Sequence, residues 1–240
     1  MTGITIDITE KRYRAASGTP ARQIFSDFQL KVEPHGIVVL LGPSGLGKTT
    51  LLNMVAGLDS DYRGSVTFTT PKPRIAYAFQ SPRLLPWRTV LENVMLPLSS
   101  GGANLARART MLAEVGLADA AEAYPERLSL GQQRRVALAR AFVIEPDVLL
   151  MDEPFVSLDE AGAVRLRSLL RTLLKRRPAT VLFVTHNSRE AVELASRIVM
   201  LDGSPAKIVR DVPVGLTLGE RDSSVAIDAF RHSNGMKSRG

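Results

Sequence analysis

The chain of 240 residues contains no cysteine, a single tryptophan and few aromatic side chains, which make up 5% of the sequence. The lack of cysteine excludes a disulfide scaffold and is compatible with a reducing compartment. The hydrophobic fraction of 45% and the charged fraction of 23% are ordinary globular values, so disorder is excluded for the bulk of the chain. The length fits one domain, or one domain with an insertion.

Long apolar runs are also missing. The longest runs, such as Ile37–Leu41 and Val148–Met151, are far shorter than the ~20 residues that a membrane-spanning helix needs. The first residues lack the charged start and the apolar core of a signal peptide. We therefore expect a protein that stays in the cytosol and has no membrane span of its own.

The charge balance is basic, with 31 Lys and Arg against 24 Asp and Glu and a formal net charge of +7. A basic chain can bind nucleic acid, but acidic residues are interspersed throughout this one, and we expect no nucleic-acid partner. The densest basic cluster, residues 171–177, has leucines between its charges. This pattern favours a solvated helix face over a contact with anionic lipid or nucleic acid.

Short apolar runs alternate with helical patterns along the chain. The β-branched and aliphatic run Ile37–Leu41 is typical of a strand that is buried on both faces of a parallel sheet. Similar runs occur at Val148–Met151 and Thr180–Thr185. Alternating residues from Ile4 to Ile8 predict an edge strand, and residues 25–32 predict a second amphipathic strand. The sequence predicts an α/β core with a mainly parallel sheet and an N-terminal antiparallel β part.

The middle of the chain has a different character. Between residues 83 and 145, strand-like runs vanish and Ala, Leu, Arg and Glu dominate, which predicts an inserted helical subdomain. We therefore treat residues 1–240 as one domain. Its predicted parts are an α/β core of residues 1–82 and 146–214, the helical subdomain of residues 83–145, and a C-terminal tail of residues 215–240.

A glycine-rich segment follows the first buried run and precedes a helical pattern. It reads Gly42, Pro43, Ser44, Gly45, Leu46, Gly47, Lys48, Thr49 and Thr50, which fits G-x-x-x-x-G-K-[ST] in the strand–helix context that this motif requires. Glycines let consecutive backbone N–H groups curl around phosphate oxygens, and the helix N-terminus adds positive charge. We expect Lys48 to bind the β- and γ-phosphates of a nucleotide, and Thr49 to ligate Mg²⁺.

A pair of carboxylates ends the second buried run. Asp152 and Glu153 directly follow Val148–Met151, and open α/β sheets bind ligands beside the carboxyl ends of their strands. Asp152 is suited to holding Mg²⁺, and Glu153 to accepting a proton from the water that attacks the γ-phosphate. With the phosphate loop, this pair predicts a nucleotide hydrolase.

Five further segments stand in a particular order around these motifs. They are Tyr13, Gln80 after the run 75–79, the segment 128–135 that contains Ser129, Gly131 and Gln132, the segment 157–159 that ends in Asp159, and His186 after Thr180–Thr185. This set resembles the ATP-binding subunit of ABC transporters, and the likeness runs from about Ile4 to Val209. The resemblance implies a P-loop core of the RecA-like kind.

The resemblance also implies residue roles. Glu153, His186 and Gln80 would be catalytic, with His186 as the switch histidine and Gln80 as the Q-loop glutamine that senses Mg²⁺ and the attacking water. Thr49, Gln80 and Asp152 would surround Mg²⁺. Tyr13 would stack on the adenine of ATP, and Asp159 would lie at a dimer interface.

The signature segment departs from the family pattern at one position. The family has Leu-Ser-Gly-Gly-Gln, whereas this chain has Leu130 in place of the first glycine. In the family, this segment acts in trans on the ATP of a second subunit, and here Ser129, Gly131 and Gln132 remain for that role. Leu130 would crowd the dimer interface or restrict the local backbone dihedrals, and either effect would weaken ATP-driven closure.

The resemblance implies partners as well. The chain would pair with a second ATPase subunit, as a homodimer or a heterodimer, with ATP and Mg²⁺ as its ligands. It would lie peripherally on the cytoplasmic face of the inner membrane, bound to two separate transmembrane permease subunits and served indirectly by an extracytoplasmic solute-binding protein. The surface around Gln80 and residues 83–93 would contact the permease.

Residues 81–90 resemble the branch of bacterial importers that serve nitrate, sulfonates, taurine and related small solutes. We therefore expect the energy-coupling ATPase of such an importer. Two alternatives remain open: the ATPase subunit of an exporter or lipid-transfer system, and an ABC ATPase acting on nucleic acid. The last class usually carries tandem ATPase domains or long coiled-coil insertions, which 240 residues do not hold.

Overall fold

The computed structural model describes residues 2–15, 20–99 and 101–236. In chain order, the strands are β1 (Ile4–Tyr13), β2 (Arg22–Val32), β3 (Ile37–Leu41), β4 (Arg63–Phe68), β5 (Ile75–Ala78), β6 (Val148–Asp152), β7 (Thr180–Thr185), β8 (Arg197–Asp202) and β9 (Lys207–Pro213). The α-helices are α1 (Lys48–Val55), α2 (Val90–Met95), α3 (Gly102–Glu114), α4 (Leu130–Phe142), α5 (Glu160–Arg176), α6 (Ser188–Leu194) and α7 (Ser224–Ser233). Short 3-10 helices cover Ala118–Ala120, Pro125–Arg127 and Glu220–Asp222.

The chain forms two compact units. The first contains residues 1–72 and 180–240, and the second contains residues 73–179. These bounds differ from the division into core, helical subdomain and tail drawn from the sequence, and that division stays a prediction. Residues 237–240, the end of the predicted tail, lie outside the described residues.

The N-terminal residues of the first unit form an antiparallel sheet in which β1 lies between β2 and β4. The prediction of an edge strand at Ile4–Ile8 is therefore wrong. Alternation of apolar residues shows that one face of a strand is buried, but it carries no information on whether both of its edges are paired. Strand β4 escaped the sequence analysis because it contains no buried residue to mark it.

A second set of strands in the first unit has β3 in its middle. Strands β7 and β8 run parallel to β3 on either side, and β9 pairs antiparallel with β8. The register aligns Leu41 with Thr185, so the segments that follow β3 and β7 leave the sheet at the same edge. The sequence predicts both strands with these bounds, because burial on both faces selects a mostly apolar run.

The second unit contains the parallel pair β5 and β6, whose register aligns Ala78 with Met151. Between them in sequence, the described part of residues 83–145 is built of α2, α3, α4 and two 3-10 helices. The prediction of an α/β fold with a mainly parallel sheet, an antiparallel β part and helices is confirmed.

Polar side chains fix the starts of several helices. Capping boxes begin α2, with Thr89 and Glu92, and α4, with Ser129 and Gln132. Asp159 caps α5 through the backbone N–H of Gly162, at 2.9 Å. Each cap satisfies N–H groups that have no partner inside the helix, so the sequence determines where these helices begin.

Candidate functional site

The glycine-rich segment of the first unit connects the buried strand β3 to helix α1. Its last glycine, Gly47, has a φ of 90°, in the left-handed region that favours glycine. A Cβ atom at this position would lie 2.1 Å from Cγ2 of Ile24, so a side chain does not fit. The loop therefore keeps a backbone path that an ordinary residue could not follow.

Helix α1 begins at Lys48 with its N-terminus open to an anion. Among the described residues, no side chain caps this end, and no acidic residue lies in its first turn. The buried Lys48 side chain donates hydrogen bonds of 2.7 Å from Nζ to the carbonyl oxygens of Gly42 and Pro43. A positively charged helix end behind a glycine loop fits the phosphates of a nucleotide.

Tyr13 lies next to this helix. Its hydroxyl group is 3.1 Å from Oγ1 of Thr50, and Nζ of Lys11 lies 4.8 Å from the centre of its ring. The side chain remains 45% exposed, so part of the ring is open to a stacking partner. The structure thus brings Tyr13 together with the phosphate-loop helix.

Arg22 was missed by the sequence analysis. Its Nη2 donates a 2.8 Å hydrogen bond to the carbonyl oxygen of Gly45, at the tip of the glycine-rich loop. A carbonyl acceptor leaves no trace in the side-chain pattern, so only the structure reveals this contact. Arg22 therefore supports the loop from strand β2.

His186 follows β7 at the same edge of the sheet as the glycine-rich loop, and its side chain is exposed. The residues around it are tightly held. Thr185 donates from Oγ1 to Oε2 of Glu190, at 2.7 Å, and accepts from the backbone N–H of Asn187, at 3.0 Å. Asn187 in turn caps α6 through the N–H groups of Arg189 and Glu190. The local backbone therefore presents His186 in a defined position.

In the second unit, three predicted residues meet at the carboxyl ends of β5 and β6. Gln80 follows β5, while the buried Asp152 ends β6 and Glu153 comes next. A long hydrogen bond of 3.5 Å joins Nε2 of Gln80 to Oε2 of Glu153. Glu153 has a φ of 43°, which is rare for a residue with a Cβ and is often found where function requires it.

Tyr77, on β5, lies close enough to Asp152 to respond to its charge. Burial raises the pKa of its hydroxyl group far above the usual value, and the negative charge of Asp152 raises that pKa further, while Arg83 acts in the opposite direction. The phenol therefore stays protonated near neutral pH. It can donate a hydrogen bond but cannot serve as a base at that pH.

The signature segment forms the start of α4. Oγ of Ser129 accepts from the N–H of Gln132 at 3.3 Å, and Oε1 of Gln132 accepts from the N–H of Ser129 at 2.8 Å. Gly131 has open space, since a Cβ atom there would meet only Cδ2 of Leu158, at 4.0 Å. Leu130 is the first residue of the helix and is 38% exposed, without a positive φ. Leucine therefore adopts this helical backbone without strain, and its exposed side chain is the feature that could crowd a partner surface.

Two arginines of α4 hold neighbouring segments of the second unit. Arg134 donates to the carbonyl oxygens of Pro154 and Val156, at 2.6 and 2.7 Å. Arg140 donates to those of Pro82 and Arg83, at 2.7 and 2.8 Å. The helix that starts with the signature thus fastens the turn after Glu153 and the turn after Gln80. Arg134 lies in the predicted signature segment 128–135 and Arg140 lies beyond it, but these contacts could not be predicted for either residue, because a main-chain carbonyl acceptor does not depend on residue type.

Asp159 is exposed and acts as the cap of α5 within its own chain. This contact does not involve a second subunit, so the role at a dimer interface stays a prediction.

The structure places the predicted site residues in two groups. The glycine-rich loop, Tyr13 and His186 lie in the first unit, and Gln80, Asp152, Glu153 and the signature lie in the second.

These features define an ATPase of the ABC transporter class, and comparison with known proteins agrees. The sequence model described as ABC transporter matches residues 25–156, and the chain belongs to this family. Within the described residues, no helix has the length and apolar character needed to cross a membrane.

Curated relatives cover most of the chain. It is 40% identical over 223 residues to the aliphatic sulfonates import ATP-binding protein SsuB 2 of Burkholderia cenocepacia (strain HI2424), spanning 88% of this chain and 83% of that protein. It is 44% identical over 219 residues to the aliphatic sulfonates import ATP-binding protein SsuB of Mycobacterium sp. (strain MCS), spanning 89% of this chain and 87% of that protein. Identity to SsuB 2 of Rhizobium johnstonii is 45% over 195 residues, spanning 81% and 77%.

The fold is similar to that of a solved dimeric ATP-binding cassette in a post-hydrolysis state, bound to ADP and Pi. The TM-score is 0.74 at 28% identity, over 89% of this chain and all of that chain. A second dimeric structure, of a bacterial ABC transporter cassette, gives a TM-score of 0.75 at 29% identity over the same share of this chain.

Proposed function

We propose that the chain is the ATP-hydrolysing, energy-coupling subunit of a bacterial importer for aliphatic sulfonates, or for a related small solute such as taurine or nitrate. One observation carries this proposal. The relatives that match it over more than three quarters of its length, at 40–45% identity, are import ATP-binding proteins for aliphatic sulfonates. The segment 81–90, which lies within the matched length, resembles the same branch.

The glycine-rich loop would bind the phosphates of ATP. The open N-terminus of α1 and the backbone path at Gly47 fit this role, because both offer N–H groups to phosphate oxygens. Lys48 would exchange its hydrogen bonds with Gly42 and Pro43 for phosphate oxygens. The exposed part of the Tyr13 ring would stack on the adenine.

Magnesium would be held by Thr49, Gln80 and Asp152, whose hydroxyl, amide and carboxylate oxygens are the donors that this ion prefers. When bound, Mg²⁺ neutralises charge that develops on the phosphates. Glu153 would take the proton of the attacking water. His186 would donate a hydrogen bond to the γ-phosphate.

Two copies of the chain, or this chain and a close relative, would complete the active sites. Ser129, Gly131 and Gln132 would act on the ATP of the partner subunit, with Asp159 at the interface. The dimeric cassettes of similar fold support this arrangement. The surface around Gln80 and residues 83–93 would contact the permease, which consists of two separate transmembrane subunits. Residues 1–82 and 146–214 would form the nucleotide core, and residues 83–145 the helical subdomain. The protein would thus lie on the cytoplasmic face of the inner membrane, and an extracytoplasmic solute-binding protein would deliver the solute.

Capture of the membrane partners tests the proposal. Tagged protein with the substitution Glu153→Gln, which we expect to bind ATP without turning it over, is incubated with Mg-ATP and detergent-solubilised native membranes. Mass spectrometry identifies what co-purifies, and Lys48→Ala serves as the control that does not retain ATP. A polytopic permease with a solute-binding protein that binds an alkanesulfonate is the expected result.

Other results would contradict parts of the proposal. A permease whose solute-binding protein ignores sulfonates, nitrate and taurine would refute the substrate class. An exporter-type membrane protein would refute import, and recovery of nucleic acid or ribosomal proteins alone would refute transport. A protein whose recovery falls in the Lys48→Ala control is one whose capture depends on bound ATP.

A further inference from the structure

Helix α6, which begins two residues after His186, is held at both ends by arginines of the C-terminal segment. We use this name for residues 215–236, to which the sequence analysis assigned no function. The helix has only seven residues, Ser188–Leu194, and isolated helices of this length are not stable in water. Its position therefore depends on what packs against it.

At the N-terminal end of α6, two hydrogen bonds join the helix to α7. Nε of Arg231 donates to Oγ of the buried Ser188 at 2.8 Å, and Nη2 of Arg189 donates to Oγ of Ser224 at 2.7 Å. Arg231 is itself held by an ion pair with Asp228, at 2.7 Å. The two bonds run in opposite directions between the helices, so they fix the first turn of α6 against α7.

At the C-terminal end of α6, a single arginine, Arg221, binds main-chain carbonyl groups. Nη1 of Arg221 donates to the carbonyl oxygens of Val192 and Ala195, at 3.2 and 2.6 Å. Its other nitrogens donate to the carbonyl oxygens of Leu216 and Val214. Carbonyl groups at the end of a helix lack partners within it, and a guanidinium group satisfies several of them at once.

We infer that the C-terminal segment positions His186 for the reaction, with Arg231 as the positioning residue. Ser188, the acceptor of the Arg231 hydrogen bond, is two residues from His186, and the intervening Asn187 caps the same helix turn. A shift of that turn moves the His186 backbone with it. The inference rests on the role proposed above for His186 in ATP hydrolysis.

Arg231→Ala in the purified full chain tests this inference. We expect kcat for ATP hydrolysis to fall about tenfold, because small displacements of a catalytic group are costly. The KM for ATP should stay within about twofold, since the phosphate loop is untouched. The matched control is Arg210→Ala, which removes another arginine that holds the C-terminal segment, through the carbonyl oxygen of Asn234, but does not contact α6. We expect this control to keep the wild-type kcat.

A double-mutant cycle with His186→Ala separates positioning from general stability. If Arg231 acts through His186, then Arg231→Ala has no further effect on kcat in the His186→Ala background. Two results would overturn the inference while leaving the role of His186 intact. One is a double variant whose loss of kcat equals the product of the two single losses, and the other is a wild-type kcat in Arg231→Ala. A wild-type kcat in His186→Ala would overturn both.

If Arg231→Ala fails to fold, Ser188→Ala replaces it in the cycle. This change removes only the acceptor oxygen and leaves Arg231 with Asp228. The same fall in kcat at unchanged KM, again absent in the His186→Ala background, would support the inference. A wild-type kcat in Ser188→Ala would overturn it.

Discussion

Arg177 donates two hydrogen bonds of 2.7 Å, from Nη1 and Nη2, to the two carboxylate oxygens of Glu114. Glu114 is the last residue of α3, and Arg177 directly follows α5, so the pair joins the ends of two helices of the second unit. Paired donors from a planar guanidinium group match a carboxylate better than any single contact does. The C-terminal part of the basic cluster 171–177 is therefore engaged within the chain.

Glu114→Gln should lower the free energy of unfolding by about 2 kcal/mol near neutral pH, because the pair is largely buried and charge-assisted. Hydrogen bonding by Arg177 holds the pKa of the Glu114 carboxyl below its usual value. The contribution of the Arg177–Glu114 pair to the free energy of unfolding is therefore complete above the unfolded-state pKa of Glu114. It is lost as the pH falls through the lower folded-state pKa. Urea unfolding of both proteins across this range measures the difference, which should shrink with falling pH.

The exposed pair Arg109–Glu122 offers a matched control for this prediction. Its hydrogen bond of 2.9 Å is similar in length, but both side chains are more than half exposed. Glu122→Gln should change stability little at any pH, because water screens such pairs. Equal effects of Glu122→Gln and Glu114→Gln would contradict the importance of burial and paired geometry.

Gly47→Ala should destabilise the glycine-rich loop and abolish ATP binding. Alanine would carry a Cβ 2.1 Å from Ile24, in a backbone conformation that L-residues rarely adopt. Gly45→Ala separates these two effects, since Gly45 also has a positive φ but has nothing within 4 Å of a Cβ. Gly45→Ala should cost only the backbone strain of about 1–2 kcal/mol. Thermal unfolding measures the stability of the two variants, and nucleotide titration measures their affinity for ATP. Equal losses in Gly47→Ala and Gly45→Ala would show that the contact with Ile24 does not matter.

Leu130→Gly should increase ATP-dependent dimerisation and turnover, because it removes an exposed side chain from the signature segment. Leu130→Ala is the matched variant that shortens the side chain while keeping helix propensity. If crowding by the Leu130 side chain is the cause, both variants should show modestly higher ATP-dependent dimerisation and turnover than the wild type. Light scattering with Mg-ATP and steady-state ATPase assays measure the outcome, and equal turnover of all three proteins would remove the hypothesis.

Glu153→Gln should bind ATP and dimerise, yet turn over about 10²–10³-fold more slowly, since an amide cannot accept the proton of the attacking water. Glu145→Gln is the matched control. Glu145 also has a positive φ, of 49°, but forms its ion pairs with Arg74 and Arg107. Its variant should hydrolyse ATP at close to the wild-type rate. Near-normal ATPase activity of Glu153→Gln would contradict the assignment of the base.

Sequence patterns predicted the buried strands β3 and β7 to the residue, because burial on both faces leaves an uninterrupted apolar run. They also indicated the glycine-rich loop, whose backbone requirements select residue types directly. They failed for β4, which has no buried residue, and for the central position of β1, since pairing at strand edges leaves no side-chain signal. The helix α7 in the C-terminal tail gave only weak signals.

The sequence singled out candidate site residues where a proposed role depends on side-chain chemistry, as for Lys48, Asp152 and Glu153, and their roles stay predictions. The site was not predictable where arginines bind distant main-chain carbonyls. Arg22 and Arg140 reach acceptors 23 and 57 residues away in sequence, and periodicity reports only on neighbours along one element. These residues position the motifs but carry no motif of their own.

Helix α4 fastens two turns through backbone oxygens, and this has a consequence for tolerance to mutation. Arg134 and Arg140 donate hydrogen bonds to the main-chain carbonyl oxygens of residues 82, 83, 154 and 156. These bonds do not involve the side chains of the four residues. Guanidinium groups also keep their charge throughout the physiological pH range. Substitutions in the two turns that preserve the backbone should therefore leave the hydrogen bonds from α4 intact, so the surface of these turns can change its chemistry while their position persists.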